Sequence, residues 1–285
     1  MSNVVEVQEK QGEMPLLQSL EGGKVLLFPK LDFDLIEEEK ELVTPKILAG
    51  NRKNISFNPR TKELKGAACS AIRESLLKVM LARYSQFAFK LVSEVFGSQS
   101  PYVKYEKVSF RPAEIATRES DSTKKDDKKL HVDAFPSNPT QGSRILRVFT
   151  NINPSNKPRI WKIGEPFSKV ALRFMPTISA PLPLASFLLH QMHITKSRRT
   201  PYDHYMLRLH DRMKESSEYQ ESVEAELFAF QPGATWIVFT DQVSHAVLSG
   251  QHVLEQTFSV SNEGLAYKAT SPCSILEGLV GKKLI

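Results

Sequence analysis

The stretch LHVDAFPSNPTQGSRILRVFTNINP, residues 130–154, decides how the rest of the chain is read. His131 and Asp133 stand two residues apart, so on extended backbone both side chains project to the same side of a sheet. One further histidine would complete a face of two imidazoles and a carboxylate, which suits ferrous iron and leaves its opposite positions open. The tripeptide alone carries little weight. With 7 His and 32 acidic residues in the chain, about one His-x-Asp/Glu arises by chance. Its surroundings carry more. Ala134-Phe135-Pro136 leads into a loop of Ser, Asn, Pro, Thr, Gln and Gly. Arg144 to Thr150 is then a strand-like run of β-branched and apolar residues, closed by Asn151-Ile152-Asn153-Pro154.

A second stretch, AELFAFQPGATWIVFTDQVSHAVLSGQHVLEQTFSV at residues 225–260, supplies returning strands. Ala225 to Phe230 and Thr235 to Thr240 flank a Pro232-Gly233 turn, and His245 ends the second run. Gly250 then turns the chain into a third run, His252 to Val260. His245 follows Asp133 by 112 residues and is the candidate third ligand. His252 is its main rival. Trp236 reads as a core residue.

HVDAFPS, RILRVFTNINP and FQPGATWIVFTDQVSHAVLSGQHVLEQTF resemble the Kdo hydroxylase family, iron(II)/2-oxoglutarate dioxygenases that hydroxylate 3-deoxy-D-manno-oct-2-ulosonic acid on lipid A. The resemblance is concentrated in residues 128–162 and 226–260. It is fainter through TPYDHYMLRLHDRMK and slight before residue 100. The family carries an arginine just before the LHVDAF word, where this chain has Lys129.

The resemblance implies a mainly β fold with flanking helices (α+β). Its core would be a double-stranded β-helix, a cupin-like jelly roll, over residues 101–285 with a helical insert at about 181–216, and residues 1–100 would pack on it as a mixed, helical layer. It implies Fe(II), 2-oxoglutarate and O2 as cofactors, with ascorbate as an activator in vitro. His131, Asp133 and His245 would be the catalytic metal ligands. The substrate would be the Kdo sugar of Kdo-lipid A, hydroxylated at C3. Related iron halogenases resemble this pattern but lack the carboxylate, so Asp133 favours hydroxylation.

The distal carboxylate of 2-oxoglutarate calls for a buried cation. No arginine lies in Glu255-Gln256-Thr257-Phe258. Arg147 lies among Leu146, Val148 and Phe149, where an unpaired guanidinium is costly. It is the favoured cofactor ligand, with a salt bridge to a protein acid as the alternative. Arg144 is a second candidate of opposite strand parity. Asn151, Gln256 and Thr257 are candidate cofactor contacts, and Arg111, Arg118 and Asn153 candidate substrate contacts; isolated residues of these types also serve turns and sheet edges. His190, His193, His204 and His210 read as surface or packing residues.

The hydrophobic share of 41% is enough to build a core. Cys69 and Cys273 are the only cysteines, which argues against a disulfide framework and suits a reducing compartment. The start, MSNVVEVQEKQGEMPLL, has neither a basic nor an apolar leader segment, and no apolar run reaches spanning length. A cytoplasmic location is expected, with any contact at the inner membrane peripheral. Residues 1–42 carry −6 and the remainder +12, so an anionic partner is expected. No nucleic-acid motif is present.

Along the chain, Lys24 to Pro29 is strand-like. Residues 64–96 read as helix, with Ala68, Ile72, Leu76, Val79, Met80, Arg83, Phe87, Leu91 and Val95 as the apolar stripe and Gly97 as the stop. Core packing is the main reading of that stripe, and a membrane-facing role the alternative. Tyr102 to Thr117 reads as extended, Ser120 to Lys129 as a polar loop, and 181–195 as a short helix after Pro181 and Pro183. Thr200-Pro201-Tyr202-Asp203 opens a further helix. Two rival functions stand beside the main one: the same chemistry on another anionic molecule or lipid, or a non-catalytic jelly roll that binds acidic glycans.

Overall fold

Two sheets carry the fold of the computed structural model, which describes residues 2–7, 13–119, 122–182 and 185–285. The strands in chain order are β1 (Val4–Glu6), β2 (Val25–Phe28), β3 (Ile55–Phe57), β4 (Leu64–Lys65), β5 (Val103–Arg111), β6 (Arg144–Asn151), β7 (Arg159–Ile163), β8 (Glu226–Phe230), β9 (Thr235–Phe239), β10 (His245–Ser249) and β11 (Val253–Val260). The helices are α1 (Glu13–Glu21), α2 (Glu37–Lys40), α3 (Ala71–Phe96), α4 (Phe167–Phe174), α5 (Ala185–Gln191), α6 (Pro201–Glu215), α7 (Ser217–Ser222) and α8 (Pro272–Val280). Ser120 and Pro183, which belong to the loop and short-helix readings, lie outside the described residues.

The large sheet runs β1-β2-β9-β6-β11-β5-β3-β4 and the small one β10-β7-β8. Phe149, Trp236 and Val253 of the large sheet share a buried cluster with Trp161, Ile163, Phe230 and Val247 of the small one. The two sheets therefore face each other across an apolar core, the jelly-roll arrangement that the family resemblance implied. Register sets which residues look inward. Arg147 pairs with Thr257 and Val238, and Phe149 with Glu255 and Trp236, so Arg147, Phe149, Glu255 and Thr257 share the inner face. Leu146, Val148 and Gln256 lie on the outer face.

The outer face is covered by α3. Leu77, Leu81, Tyr84, Ala88, Leu91 and Val95 are buried, at alternating spacings of four and three. This stripe is rotated from the one read in the sequence: Ile72 and Val79 are 83% and 53% exposed. Tyr84 sets the phase, since its hydroxyl meets the carbonyl oxygens of Val148 and Leu254. The helix also starts later, at Ala71 after the Ser70 cap, because Leu64 and Lys65 are paired with β3. Gly97 ends it with φ +51, backbone that an L side chain rarely adopts.

Residues before 100 do more than layer helices on the core. They supply β1 and β2 at one edge of the large sheet and β3 and β4 at the other, which covers edges that would otherwise stand open. Thr200 and Asp203 form the reciprocal cap of α6 as read from sequence. Asp203 also accepts from the backbone N–H groups of Thr140 and Gln141, tying α6 to the loop that follows Asp133.

Candidate metal centre

His131 lies in no regular strand. It forms an isolated bridge with His245, in which His131 N–H donates to His245 O at 3.0 Å and His245 N–H donates to His131 O at 2.9 Å. His245 opens β10 rather than ending β9. Asp133 N–H donates to Thr240 O at 2.8 Å, so both halves of the HVD word are stitched to the chain around His245. The imidazole centroids stand 4.7 Å apart. One ligand atom from each of His131, Asp133 and His245 falls within 4.8 Å of the others.

The protonation states fit a cation. His131 Nδ1 lies 2.7 Å from Lys129 O and His245 Nδ1 lies 2.8 Å from Val243 O. A carbonyl oxygen only accepts, so both Nδ1 atoms carry hydrogen and both Nε2 lone pairs remain for a metal. Burial, followed by His131, brings His245 down to about 4, which keeps it neutral. Burial opposes ionisation of Asp133, yet Arg147 and the two histidines hold its carboxyl well below the usual range. Asp133 Oδ2 is buried without an aligned hydrogen bond, although Arg147 Nη2 stands 2.8 Å away. The two imidazole Nε2 atoms and Asp133 Oδ1, which faces His131 Nε2 at 3.6 Å, make a donor set suited to iron(II).

Charged groups from the large sheet surround this centre. Arg147 Nη1 donates to Glu255 Oε1 at 2.8 Å, and Arg111 Nε donates to Glu255 Oε2 at 2.6 Å. Arg118 pairs with Asp127; burial opposes that acid's ionisation, but Arg111 and Arg118 bring it down to about 2. Trp161 stacks on His245 at 5.1 Å and His210 meets His131 edge-on at 5.5 Å. Arg147, Arg111, Glu255, Thr257, Phe135 and Lys196 line a cavity of about 690 Å³.

Arg159 stands apart from these pairs. It is 3% exposed, and its Nη1 donates to Gly250 O at 2.6 Å. Among the described residues no carboxylate forms an ion pair with it. Burial, and then repulsion from Arg111, bring its guanidinium down to about 9. Gly250 has φ +109, and a Cβ there would stand 2.9 Å from Arg159 Cδ. Only glycine lets the chain close over this side chain.

Several sequence candidates fall elsewhere. Arg144 projects to the outer face, where its Nε and Nη2 donate to Asp241 at 2.7 and 3.2 Å and Nη2 also donates to Gln242 at 2.6 Å. It also lies 4.0 Å over the Phe239 ring, so its guanidinium is committed to a buried ion pair. Gln256 shares the outer face, where Ser85 donates to its Oε1. Asn151 spends its amide on the carbonyls of Lys157 and Phe230 and accepts from Asn153 N–H, closing the turn after β6. Asn153 accepts from Ser155 N–H, and its Nδ2 is buried without a partner. Arg147 is not unpaired among apolar residues, because Asp133 and Glu255 both engage it. His252 is absent from the triad and sits at φ +57, with Nδ1 unpartnered. Reading the sequence missed Glu255, Asp127, Arg159 and His210. Glu255 had a signal: it is the one acid in a strand whose neighbours at Val253 and Thr257 share its parity.

The family model described as 3-deoxy-D-manno-oct-2-ulosonic acid (Kdo) hydroxylase matches residues 3–283. Among solved structures, the chain is similar to the Kdo hydroxylase KdoO, a non-heme Fe(II) alphaketoglutarate dependent dioxygenase, in complex with cobalt(II). Identity there is 43% and the TM-score 0.95, over 100% of this chain and 98% of that one. The same enzyme in complex with alphaketoglutarate and Fe(III) matches at 43% identity and a TM-score of 0.94, over 99% and 97% of the two chains. Its complex with succinate and Fe(III) matches at 43% and 0.94, over 100% and 98%. No curated protein matches the chain. On the family match and on this identity over the full length, the chain belongs to the Kdo hydroxylase family.

Proposed function

We propose that this chain hydroxylates Kdo using Fe(II), 2-oxoglutarate and O2, and that the Kdo it accepts is carried on lipid A. The observation that carries the reading is the triad: one ligand atom from each of His131, Asp133 and His245 lies within 4.8 Å of the others, and both Nδ1 atoms are engaged by backbone carbonyls, in a chain of this family. His131, Asp133 and His245 would hold the iron. Iron and 2-oxoglutarate, when bound, supply the oxidising power to place one oxygen atom of O2 on a C–H bond. The chain's own residues orient and charge the site. Arg147 keeps Asp133 ionised and fixes its free oxygen, and Glu255 holds Arg147 and Arg111 in place. Arg111 and Arg118, each already paired with an acid, remain candidates for gathering the anionic sugar, as does Asn153, and Thr257 remains a candidate cofactor contact.

For the distal carboxylate of 2-oxoglutarate we favour Arg159 over Arg147. Arg147 already has two carboxylate partners, whereas Arg159 is a buried cation with none among the described residues. Arg159 shares the inward face of β7 with Trp161, which stacks on His245. Two residues along a strand span roughly 7 Å, a separation matched to a five-carbon diacid chelated at one end. Arg159→Ala is expected to raise the 2-oxoglutarate concentration needed for half-maximal ferrous-complex absorption at least tenfold. A lost buried charge pair costs ~2–5 kcal/mol, about thirtyfold or more, so tenfold is the floor of the expected effect. Iron binding without 2-oxoglutarate should change little. A cofactor defect in Arg147→Ala, with normal cofactor binding in Arg159→Ala, would return the assignment to Arg147.

The decisive test of substrate is mass spectrometry of Kdo-lipid A incubated with the protein, Fe(II), ascorbate and 2-oxoglutarate. A gain of one oxygen on the glycolipid is expected, with little or none on free Kdo. Efficiency should fall as salt rises, because the Debye length shrinks from about 10 Å at 0.1 M to about 3 Å at 1 M. Consumption of 2-oxoglutarate with no oxygen gain on Kdo-lipid A would promote another anionic substrate. No helix of the described residues is long and apolar enough to cross a membrane. We place the enzyme at the cytoplasmic face of the inner membrane, as a peripheral protein.

A further inference from the structure

Resting on the reading of a lipid-borne substrate, the geometry points to Leu182 and residues 186–199 as a docking surface for an anionic bilayer. Three observations converge there. Leu182, Leu188, Met192 and Ile194 are 76%, 55%, 68% and 47% exposed. They are four of the twelve large hydrophobic residues exposed among the described residues, gathered within thirteen positions. Scattered single apolar residues on a surface need no explanation, but a concentration of this kind marks an interaction site.

The charge around the patch selects the partner. From Pro166 to Tyr202 the sequence contains no Asp or Glu and five basic residues: Lys169, Arg173, Lys196, Arg198 and Arg199. Arg173 is paired with Glu165 at 3.2 Å, but exposed apolar side chains flanked by a net excess of cations, Lys196 and Arg198 among them, fit a surface of anionic headgroups over acyl chains. A soluble protein partner would have to match both the apolar area and the basic charge of Lys196 and Arg198.

Position links the patch to the chemistry. Lys196 N–H donates to Ser137 O at 3.0 Å, and Arg199 Nη2 donates to Pro136 O at 2.5 Å. Both carbonyls belong to the loop just after Asp133. Lys196 also lines the cavity that holds Arg147, Glu255 and Thr257. A membrane seated on Leu188 and Met192 would therefore lie beside the mouth of that cavity, where a sugar standing on a lipid could enter while its acyl chains stay in the bilayer.

The test is co-sedimentation of the full chain with vesicles of phosphatidylethanolamine and phosphatidylglycerol, against vesicles of phosphatidylcholine alone. Binding to the anionic vesicles is expected, weakened by salt. Leu188→Asp/Met192→Asp should lose at least tenfold in vesicle affinity, and Arg198→Glu should lose several-fold. These exposed variants should keep their thermal midpoint, their ferrous–2-oxoglutarate absorption and their turnover of 2-oxoglutarate without substrate. Equal binding to phosphatidylcholine would overturn the proposal. So would no binding to either vesicle, unchanged binding by the double variant, or a concentration-dependent dimer that the double variant abolishes. The vesicle result is read without hydroxylation. Bound vesicles with no oxygen gain on any Kdo glycolipid would reject the substrate reading and leave the docking surface standing.

Discussion

Asp133→Ala is expected to abolish turnover and to leave the protein without stoichiometric iron. Loss of a residue that merely orients a metal ligand already costs roughly 10–100-fold in affinity or activity, so loss of a ligand should cost more. His131→Ala and His245→Ala should behave alike, because each removes one donor of the same three-point face. His252→Ala is the control. It is buried and also neutral at pH 7, with its pKa brought to about 4 by burial, yet it lies outside the triad, so it should retain iron and activity. Anaerobic titration with ferrous ion and 2-oxoglutarate, followed by the visible absorption of the bidentate complex, separates binding from turnover. Thermal midpoints identify any variant that fails to fold. Asp133→Asn adds a second reading, since it keeps the side-chain volume and removes the charge. Normal iron content and turnover in folded His245→Ala would reject the assignment.

The largest effect on stability is expected at Arg144. Arg144 and Asp241 are each 1% exposed, and no solvent screens the pair. Arg144→Met leaves Asp241 a buried charge without its partner and removes a donor from Gln242 Oε1. Breaking a buried pair from one side costs about 3–5 kcal/mol. Arg144→Met/Asp241→Leu should recover most of that, because two apolar groups need no counter-charge. The sign of the pH dependence follows from Asp241. Burial raises its pKa, and Arg144 only partly offsets this. Without Arg144 the folded pKa rises further above the unfolded value. The folded state then binds more protons between the two, and stability increases as pH falls through the folded pKa. Urea unfolding of the single variant should thus show a deficit at pH 7 that narrows in acid, while the double variant shows no such trend. A single variant as stable as the parent at pH 7 would remove the ion pair from the account of the fold.

Much of the site was legible from local sequence. His131 and Asp133 are two residues apart, and a period of two carries both to one side whether or not the segment counts as a strand. His245 stood out through the words around it. Parity also predicted that Arg144 and Arg147 would face opposite ways, and they do: Asp241 holds one and Asp133 the other. The cap at Thr200 and the stop at Gly97 were readable because they act within a few residues of themselves.

Strand parity, turn and cap chemistry, and the ligand words with the family they resemble are local, and a reader of the chain alone can find them. Only tertiary structure decided which groups share a charge. Arg147 is claimed by Glu255, 108 positions away, and Arg159 forms no ion pair with an acid among the described residues although Glu114, Asp127 and Glu255 all influence it. The rotation of α3 was set likewise, by Tyr84 reaching the carbonyls of Val148 and Leu254. The physical reason is the same in each case. Side-chain direction along a strand or helix is a local property of the backbone. The partner of a buried charge or hydroxyl depends on which distant strand the sheet register places opposite it, and two sheets closing face to face bring together residues that no local pattern relates.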